Sequence, residues 1–385
     1  MAKMDQHTRL RILLLSYEFP PLGGGAANAV DYLVRSLTQI HGSRVMIDVI
    51  TGSPGSKDVV RLSDSAVMYR LDIGKNEVHL QHQRHQDVLR YAVQAYFFSK
   101  KMMQAQQYDL VHAFMGIPGG IVASFLEPPY VISLRGSDVP YHNPSYRYMY
   151  AVMKSLIYRS WKKAGAVVVN SDDLQNEAEH FLRRDYAVIP NGVDINKFSV
   201  NTKRSSVFRV LFVGRLHRIK NIPLLLRSFK KFSQRISSKP VELVLIGDGP
   251  ERRQLVSYCK ELNIQDTVVF SPHVPHHELP SSYQHASVFV LVSEREGMSN
   301  TLLEAMASGL PVITTKTGGS DMLVKSNGYV VDPNEEDISE ALYQVYINPD
   351  RQKEMGVYSR SIAERFHWEN MADQYFQLYQ RLCVV

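Results

Sequence analysis

Along this chain, short runs of apolar, largely β-branched residues alternate with longer stretches in which apolar residues recur every three or four positions. The runs at residues 11–17, 44–51, 110–113, 130–134 and 166–170 are apolar on both faces, which predicts strands buried in a parallel sheet. After a polar stretch at 191–206 the pattern restarts, with runs at 208–213, 242–246, 267–270, 288–292 and 312–314. Helical periodicity predicts an amphipathic helix ending near Thr38, a second from Tyr146 to Lys163 and a last one from Glu369 to Leu382. A short helix over residues 301–308 is bracketed by its own sequence, because Gly309 suits the position after a helix and Pro311 forbids continuation.

Strands that alternate with helices require right-handed crossovers, so each half predicts an α/β, doubly wound sheet. The two domains are expected at 1–195 and 196–368, with residues 369–385 packing back on the first. Ligands of such sheets bind beyond the carboxyl ends of the strands. The residues after the strands are polar and glycine-rich in both halves: 17–25, 112–120 and 135–138 in the first, 214–220, 247–250 and 293–300 in the second. That recurrence predicts one ligand held in a cleft between two domains.

A length of 385 residues exceeds one ordinary core and suits two domains. Shares of 44% hydrophobic and 21% charged residues are those of a globular protein. Cys259 and Cys383 form no disulfide or metal framework, which fits a reducing compartment. The apolar run at 12–15 is too short for a secretion signal, and nothing reads as a membrane span. A net charge of +6 is spread along the chain, so nucleic acid is not indicated. The basic helix from Tyr146 to Lys163 fits two roles, a core-facing helix with a solvated rim, which is the preferred reading, or a helix lying on a membrane surface.

The most informative stretch is Glu296-Gly-Met-Ser-Asn-Thr-Leu-Leu-Glu304. Backbone N–H groups near Gly297, Met298, Ser299 and Asn300 and the positive end of a helix dipole favour an anion, such as a diphosphate. Glu304, one turn after Asn300, and Glu296 on the preceding loop can accept from sugar hydroxyls. The plainer reading is a capping box in which Thr301 caps the helix and Glu304 reaches back. In the second half, Gly214-Arg215-Leu-His-Arg-Ile-Lys220-Asn221 places two cations around a strand-to-helix turn, where Asn221 can cap and Pro223 fits the first helical turn. Arg215 and Lys220 would hold a diphosphate, or else form a solvated face.

In the first half, Gly23-Gly24-Gly25 lets backbone approach a phosphate, although the dinucleotide fingerprint fails where Asn28 replaces its third glycine. His112 and Arg135 end strands, and Asp138 follows in the run Arg135-Gly-Ser-Asp138. Each is open to a structural reading. No Asp-x-Asp pair stands at a strand end, so no metal is expected.

These residues together resemble the retaining glycosyltransferases of the GT-B fold, family 4 (glycosyl transferases group 1). The resemblance covers nearly the whole chain and is carried by the 296–304 stretch with Ala305-Met-Ala-Ser-Gly-Leu-Pro-Val312, by Gly214-Arg215 with Lys220, by Pro190-Asn-Gly-Val-Asp194 and by Thr317-Gly-Gly319. It implies two Rossmann-like domains facing across a cleft, the first binding acceptor and the second a nucleotide diphosphate sugar. It further implies that Glu296 contacts the donor's hexose, Glu304 its ribose, and the 297–299 amides its sugar and phosphate. Arg215 and Lys220 would hold the diphosphate beside Gly214, joined by Gly24 and Gly25. Arg135 stands where relatives commonly carry a sugar-facing histidine, so that histidine's role does not transfer, and His112, Arg135 and Asp138 are carried as candidates for facing sugar or acceptor.

The activity implied is hexose transfer from a UDP- or GDP-linked donor to a hydroxyl of a glycan or lipid-linked glycan, with retention, in cell-surface polysaccharide or lipopolysaccharide synthesis. No cofactor is expected beyond this co-substrate. The expected location is cytoplasmic, with peripheral contact at the cytoplasmic face of the membrane left open. Two rivals are a nucleotide-sugar epimerase of the same fold and a non-catalytic sugar-nucleotide binding protein.

Overall fold

In a computed structural model of the chain, residues 9–55, 57–75, 84–140, 142, 147–201, 206–236, 240–272 and 274–383 are described. The chain folds as two compact units, Met1–Asn191 with Trp368–Val385, and Gly192–His367. The first contains β1 (Leu10–Ser16), α1 (Gly25–His41), β2 (Val45–Ser53), β3 (Asp58–Ser63), β4 (Ala66–Asp72), α2 (His85–Ala105) and β5 (Leu110–Phe114). It continues through α3 (Ile121–Ala123), β6 (Tyr130–Ser133), α4 (Arg147–Lys163), β7 (Ala166–Val169), α5 (Asp172–Phe181) and β8 (Ala187–Val188). The second unit runs β9 (Phe208–Val213), α6 (Ile222–Ser233), β10 (Val241–Ile246), α7 (Arg252–Glu261), β11 (Val268–Ser271), α8 (Leu279–Gln284) and β12 (Val288–Leu291). Then come α9 (Asn300–Ala307), β13 (Val312–Thr315), α10 (Ser320–Leu323), β14 (Gly328–Val331), α11 (Glu335–Ile347) and α12 (Pro349–Ala363). The last helix, α13 (Trp368–Cys383), returns to the first unit and packs along α1.

The first sheet has the order β3-β4-β2-β1-β5-β6-β7-β8, parallel except where β3 meets β4. Alternate side chains of its strands enter two separate cores, as the period of two demands. Ile12, Leu14, Leu110 and Val131 pack under α1 and α13, while Leu13, Leu15, Val111 and Ile132 pack under α2, α3 and α4. Helix α1 feeds its side through Val30, Leu33, Val34 and Leu37, spaced as one helical stripe. The second sheet, β11-β10-β9-β12-β13-β14, is wholly parallel and buried on both faces in one core.

The sequence pattern misses four strands, β3, β4, β8 and β14. Strand β3 is an exposed edge and β8 only two residues long, so neither carries a continuous apolar run. The predicted helix start at Tyr146 lies outside the described residues. The core-facing reading of that helix holds for part of its apolar residues: Ile157 and Trp161 are buried, whereas Val152 and Leu156 face out. Among the described residues no helix is long and apolar enough to cross a membrane.

Trp161 is fully buried and meets Phe181 and Tyr186 edge-on, at centroid distances of 5.1 and 6.5 Å. Trp161→Ala should destabilise the first unit by about 3–5 kcal/mol. Trp368, the chain's other tryptophan and part of the same unit, would report this in urea as an unfolding transition at lower denaturant.

Candidate active site

Strand order reverses direction twice in this chain, and each reversal opens a crevice at the carboxyl ends of two neighbouring strands. In the second unit these strands are β9 and β12, so the segment 214–220 and the segment 292–300 stand side by side at one switch point. The two stretches that the sequence singles out, with Lys220 and Glu296 76 residues apart, are thereby brought together.

Leu216 is fully buried and pins the first loop into the core. Its N–H donates to Asp248 O at 2.9 Å, and its carbonyl accepts from Glu251 N–H at 3.2 Å. Gly247, at φ +139°, allows this contact, since a Cβ there would lie 2.0 Å from Gly214 O. His217 then accepts from Ile219 N–H and starts a 3-10 turn, Arg218–Lys220. Asn221 follows in left-handed backbone, φ 49°, without capping α6 through its side chain, while Pro223 occupies the first turn as expected. The asparagine is used for its tolerance of that backbone, which corrects the capping role read from sequence.

The second loop is tied to the first by a backbone bond, Glu294 N–H to Ile219 O at 2.8 Å. Lys220 pairs with Glu296, which also accepts from Ser293 Oγ at 2.7 Å. Both side chains keep some exposure, so the pair borders solvent. Thr315 Oγ1 donates to Ser293 O at 2.8 Å and supports the loop from β13. Beneath it, Gly318 packs so closely that a Cβ would sit 1.9 Å from Gly297 O. Arg215 and Gly214 lie at the head of the same turn, half-buried.

Helix α9 begins with Ser299 as its cap, accepting from Leu302 N–H at 3.3 Å. This corrects the capping-box reading, because neither Thr301 nor Glu304 does that work. Glu304 instead turns into the structure, where its carboxylate is nearly buried between His276 Nε2 and the Tyr283 hydroxyl, each at 2.8 Å. A carboxylate has about four acceptor positions, so two contacts leave room for ligand hydroxyls. His276 reaches Lys197 Nζ through its other ring nitrogen at 3.1 Å, and burial pulls the Lys197 ammonium below its usual range. Met298 sends its side chain into the core, so this position offers a ligand its backbone. Asn300 opens the helix, half-buried.

Lys197, His276 and Tyr283 belong to no motif that sequence reading weighed, and Ser293 is included only as the first residue of the segment 293–300. Lys197 and the two aromatic residues reach Glu304 or its partner from distant positions, and only Ser293, three residues before Glu296, stood within sight of the pattern.

In the first unit the reversal lies between β1 and β5. Gly24 and Gly25 are exposed at the head of α1, which has neither a side-chain cap nor an acid in its first turn. That is an opening suited to an anion. The other three candidates are held by the protein. His112 is the third residue of β5 rather than its end, fully buried, with Nε2 2.7 Å from Ser133 Oγ and Nδ1 2.7 Å from the Tyr379 hydroxyl. The expectation that it faces a sugar is corrected: its side of the strand lies under α13. Asp138 is buried in the wall of a recess shared with Tyr17, Ser137 and Met149, and accepts from Gly116, Arg135 and Gly136 N–H groups at 2.6–3.0 Å. Arg135 stacks over Phe114 at 4.2 Å and donates to Asn191 Oδ1 and the Tyr375 hydroxyl, at 2.6 and 2.8 Å. It anchors β6 to α13.

Two family models match the chain, "Glycosyltransferase Family 4" over residues 23–197 and "Glycosyl transferases group 1" over residues 194–362. The chain belongs to the group 1 glycosyltransferases. It is 26% identical to the D-inositol 3-phosphate glycosyltransferase of Corynebacterium urealyticum, covering 97% of this chain and 96% of that one. Among solved structures it resembles sucrose-phosphate synthase of Thermosynechococcus elongatus, with TM-score 0.84, 23% identity and coverage of 97% and 99%. The Anabaena protein HepE, solved with UDP-glucose, gives TM-score 0.71, 17% identity and coverage of 97% and 100%. At such identities the structural likeness establishes the GT-B fold of this glycosyltransferase and nothing finer.

Burial, and then the nearby Arg135 charge, push the His112 imidazole down to about 3 from 6.5. Below pH 6.5 protons therefore bind the unfolded chain and not the folded one, so stability falls as pH drops towards 3, by up to about 1.4 kcal/mol per pH unit. His112→Gln should show a flatter decline of Tm between pH 6 and pH 4 than the parent. Parallel declines would assign the pH dependence to other groups.

Proposed function

We propose that this glycosyltransferase moves a hexose from a nucleotide diphosphate sugar, UDP- or GDP-linked, to a hydroxyl of a glycan acceptor, with retention at the anomeric carbon and without a metal ion. The reading rests on one observation, that the Lys220–Glu296 pair and the Glu304 carboxylate flank a single loop and helix start at the β9/β12 switch point. A donor laid along this crevice would present its diphosphate to Lys220, Arg215 and the 297–299 backbone. Its hexose would meet Glu296 and its ribose Glu304. Likeness to a protein solved with UDP-glucose supports the donor class. The first unit is the proposed acceptor-binding domain, and cell-surface polysaccharide or lipopolysaccharide synthesis the proposed setting.

When the bond from the anomeric carbon to the β-phosphate oxygen breaks, negative charge gathers on the departing nucleotide. A preorganised cation stabilises that charge more in the transition state than in the ground state, which is what accelerates the step. Glu296, itself held by Ser293, keeps Lys220 beside the crevice before substrate arrives, and would exchange that pairing for donor hydroxyls as the diphosphate takes its place on Lys220. The leaving phosphate oxygen takes the acceptor hydroxyl's proton on the same face as the new bond forms, which gives retention with no covalent intermediate on the protein.

Lys220→Ala should lower kcat by more than about ten-fold while leaving the fold intact. A near-normal rate would return Lys220 to a purely structural ion pair. Turnover should persist in EDTA, and complete loss reversed by Mn²⁺ or Mg²⁺ would contradict the metal-free reading. In both assays NMR of the product separates transfer from epimerisation, which needs no acceptor, and from binding alone, which releases no nucleotide.

A further inference from the structure

The Glu304 carboxylate is oriented from outside its own helix. Its Oε1 lies 2.8 Å from His276 Nε2, and its Oε2 lies 2.8 Å from the Tyr283 hydroxyl. Burial, and then the neighbouring Glu304 charge, raise the Tyr283 phenol well above its usual range, so it keeps its proton and donates. An imidazole can face a carboxylate with a proton or with a lone pair, and the lone pair would repel it. What decides here is the other ring nitrogen, Nδ1, which stands 3.1 Å from Lys197 Nζ. These two nitrogens share a proton. With that proton on the lysine, the ammonium donates to the Nδ1 lone pair, and the remaining imidazole proton must sit on Nε2. With it on the imidazole, both ring nitrogens carry protons. In either state Nε2–H donates to Glu304.

Lys197 is itself aimed by a turn that begins at Asp194, the last residue of the Pro190-Asn-Gly-Val-Asp194 motif, to which the site described above gives no task. Asp194 Oδ1 accepts from the Asn196 and Lys197 N–H groups at 3.1 and 3.0 Å, and its carbonyl accepts from Phe198 N–H at 2.9 Å. Phe198 is fully buried, with its ring centroid 5.5 Å from that of His276 and 5.6 Å from that of Tyr283. Arg360 ties the turn to α9, donating to the carbonyls of Ile195, Phe198 and Ala307 at 2.8–3.0 Å. Helix α9 does not need this apparatus in order to fold. It has its own cap in Ser299 and its own apolar anchors in Leu302, Leu303 and Met306. A nearly buried carboxylate also costs stability that an apolar side chain would not, which favours a ligand for its remaining lone pairs over a packing role.

We propose that His276 and Lys197 are positioning residues for the nucleotide's ribose. Lys197 keeps a proton on His276 Nε2, and His276 with Tyr283 then fixes Glu304 so that its remaining lone pairs meet the ribose hydroxyls. The inference rests on the donor reading, in which Glu304 meets ribose, and adds which residues aim it. An acceptor aimed in advance gains its full hydrogen bonds from a ribose, whereas a sugar without hydroxyls leaves those lone pairs unmet in a partly dry site.

Binding of UDP and GDP to the full-length protein, without acceptor, is measured by calorimetry beside binding of their 2′,3′-dideoxy forms. The parent should bind one of the two ribonucleotides at least about ten-fold more tightly than its dideoxy form. His276→Leu should cut that ratio by about five-fold or more, and Lys197→Met, which frees the imidazole to present its lone pair, by about three-fold. His276→Gln, whose amide N–H can stand in for Nε2–H, should restore most of the ratio. The dideoxy forms should bind the variants as they bind the parent, because the lost contact is one that they never make. An unchanged ratio in either the Leu or the Met variant, or a loss shared equally by both forms of the nucleotide, overturns the proposal and leaves the donor reading standing. Should His276→Leu fail to fold, Lys197→Met decides by the same ratio. A parent that binds neither diphosphate, or binds both forms alike, overturns the donor reading first and this inference with it.

Discussion

One backbone hydrogen bond, from Glu294 N–H to Ile219 O, joins the two halves of the candidate site and sets the distance at which everything else must work. It forms because β9 and β12 are neighbours at the point where the second sheet reverses its strand order. With the two loops held this close, Lys220 and Glu296 fall into contact and a cation stands beside a carboxylate at the mouth of the crevice. Glycine makes the arrangement possible on both sides. The loop after β10 approaches Gly214 through Gly247, and the loop after β13 approaches Gly297 through Gly318, at distances that no side chain would permit.

The two glutamates of the 296–304 stretch are held in different ways, which bears on what each can do. Glu296 borders solvent beside a lysine and a serine. Glu304 is nearly buried, and its two oxygens are fixed by an imidazole and a phenol that arrive from elsewhere in the unit. A partly exposed, ion-paired carboxylate can exchange partners when ligand arrives. A buried one, already oriented by two hydrogen bonds, acts as a fixed acceptor with its remaining lone pairs pre-aimed. The first unit shows the same economy of position. Arg135 and His112 are interior fasteners between the sheet and α13, while the glycines at the head of α1 are exposed.

Fold class was legible because parallel strands buried on both faces must be apolar without interruption, and ten such runs stand out from the helical periodicity around them. The motifs at 214–220 and 296–304 were legible because turn chemistry and charge are local properties. Less legible was whatever depended on which side of an element faces the core. Helix α4 looked like a single amphipathic stripe, yet its rotation about its axis turns Val152 and Leu156 outward. Strand β3 escaped notice because an exposed edge needs no apolar run.

The sequence by itself determined the alternating α/β order, the positions of the strand-end loops and the residue types gathered in them, since each follows from spacing along the chain. Tertiary structure alone decided the partners: Lys220 with Glu296, Glu304 with His276 and Tyr283, His112 with Tyr379. These pairs are separated by between 21 and 267 residues. Lys220 and Glu296 meet because strand order brings two distant strand ends to one edge, and the other pairs meet because whole helices pack on one another or on the sheet; no local rule of spacing encodes either arrangement.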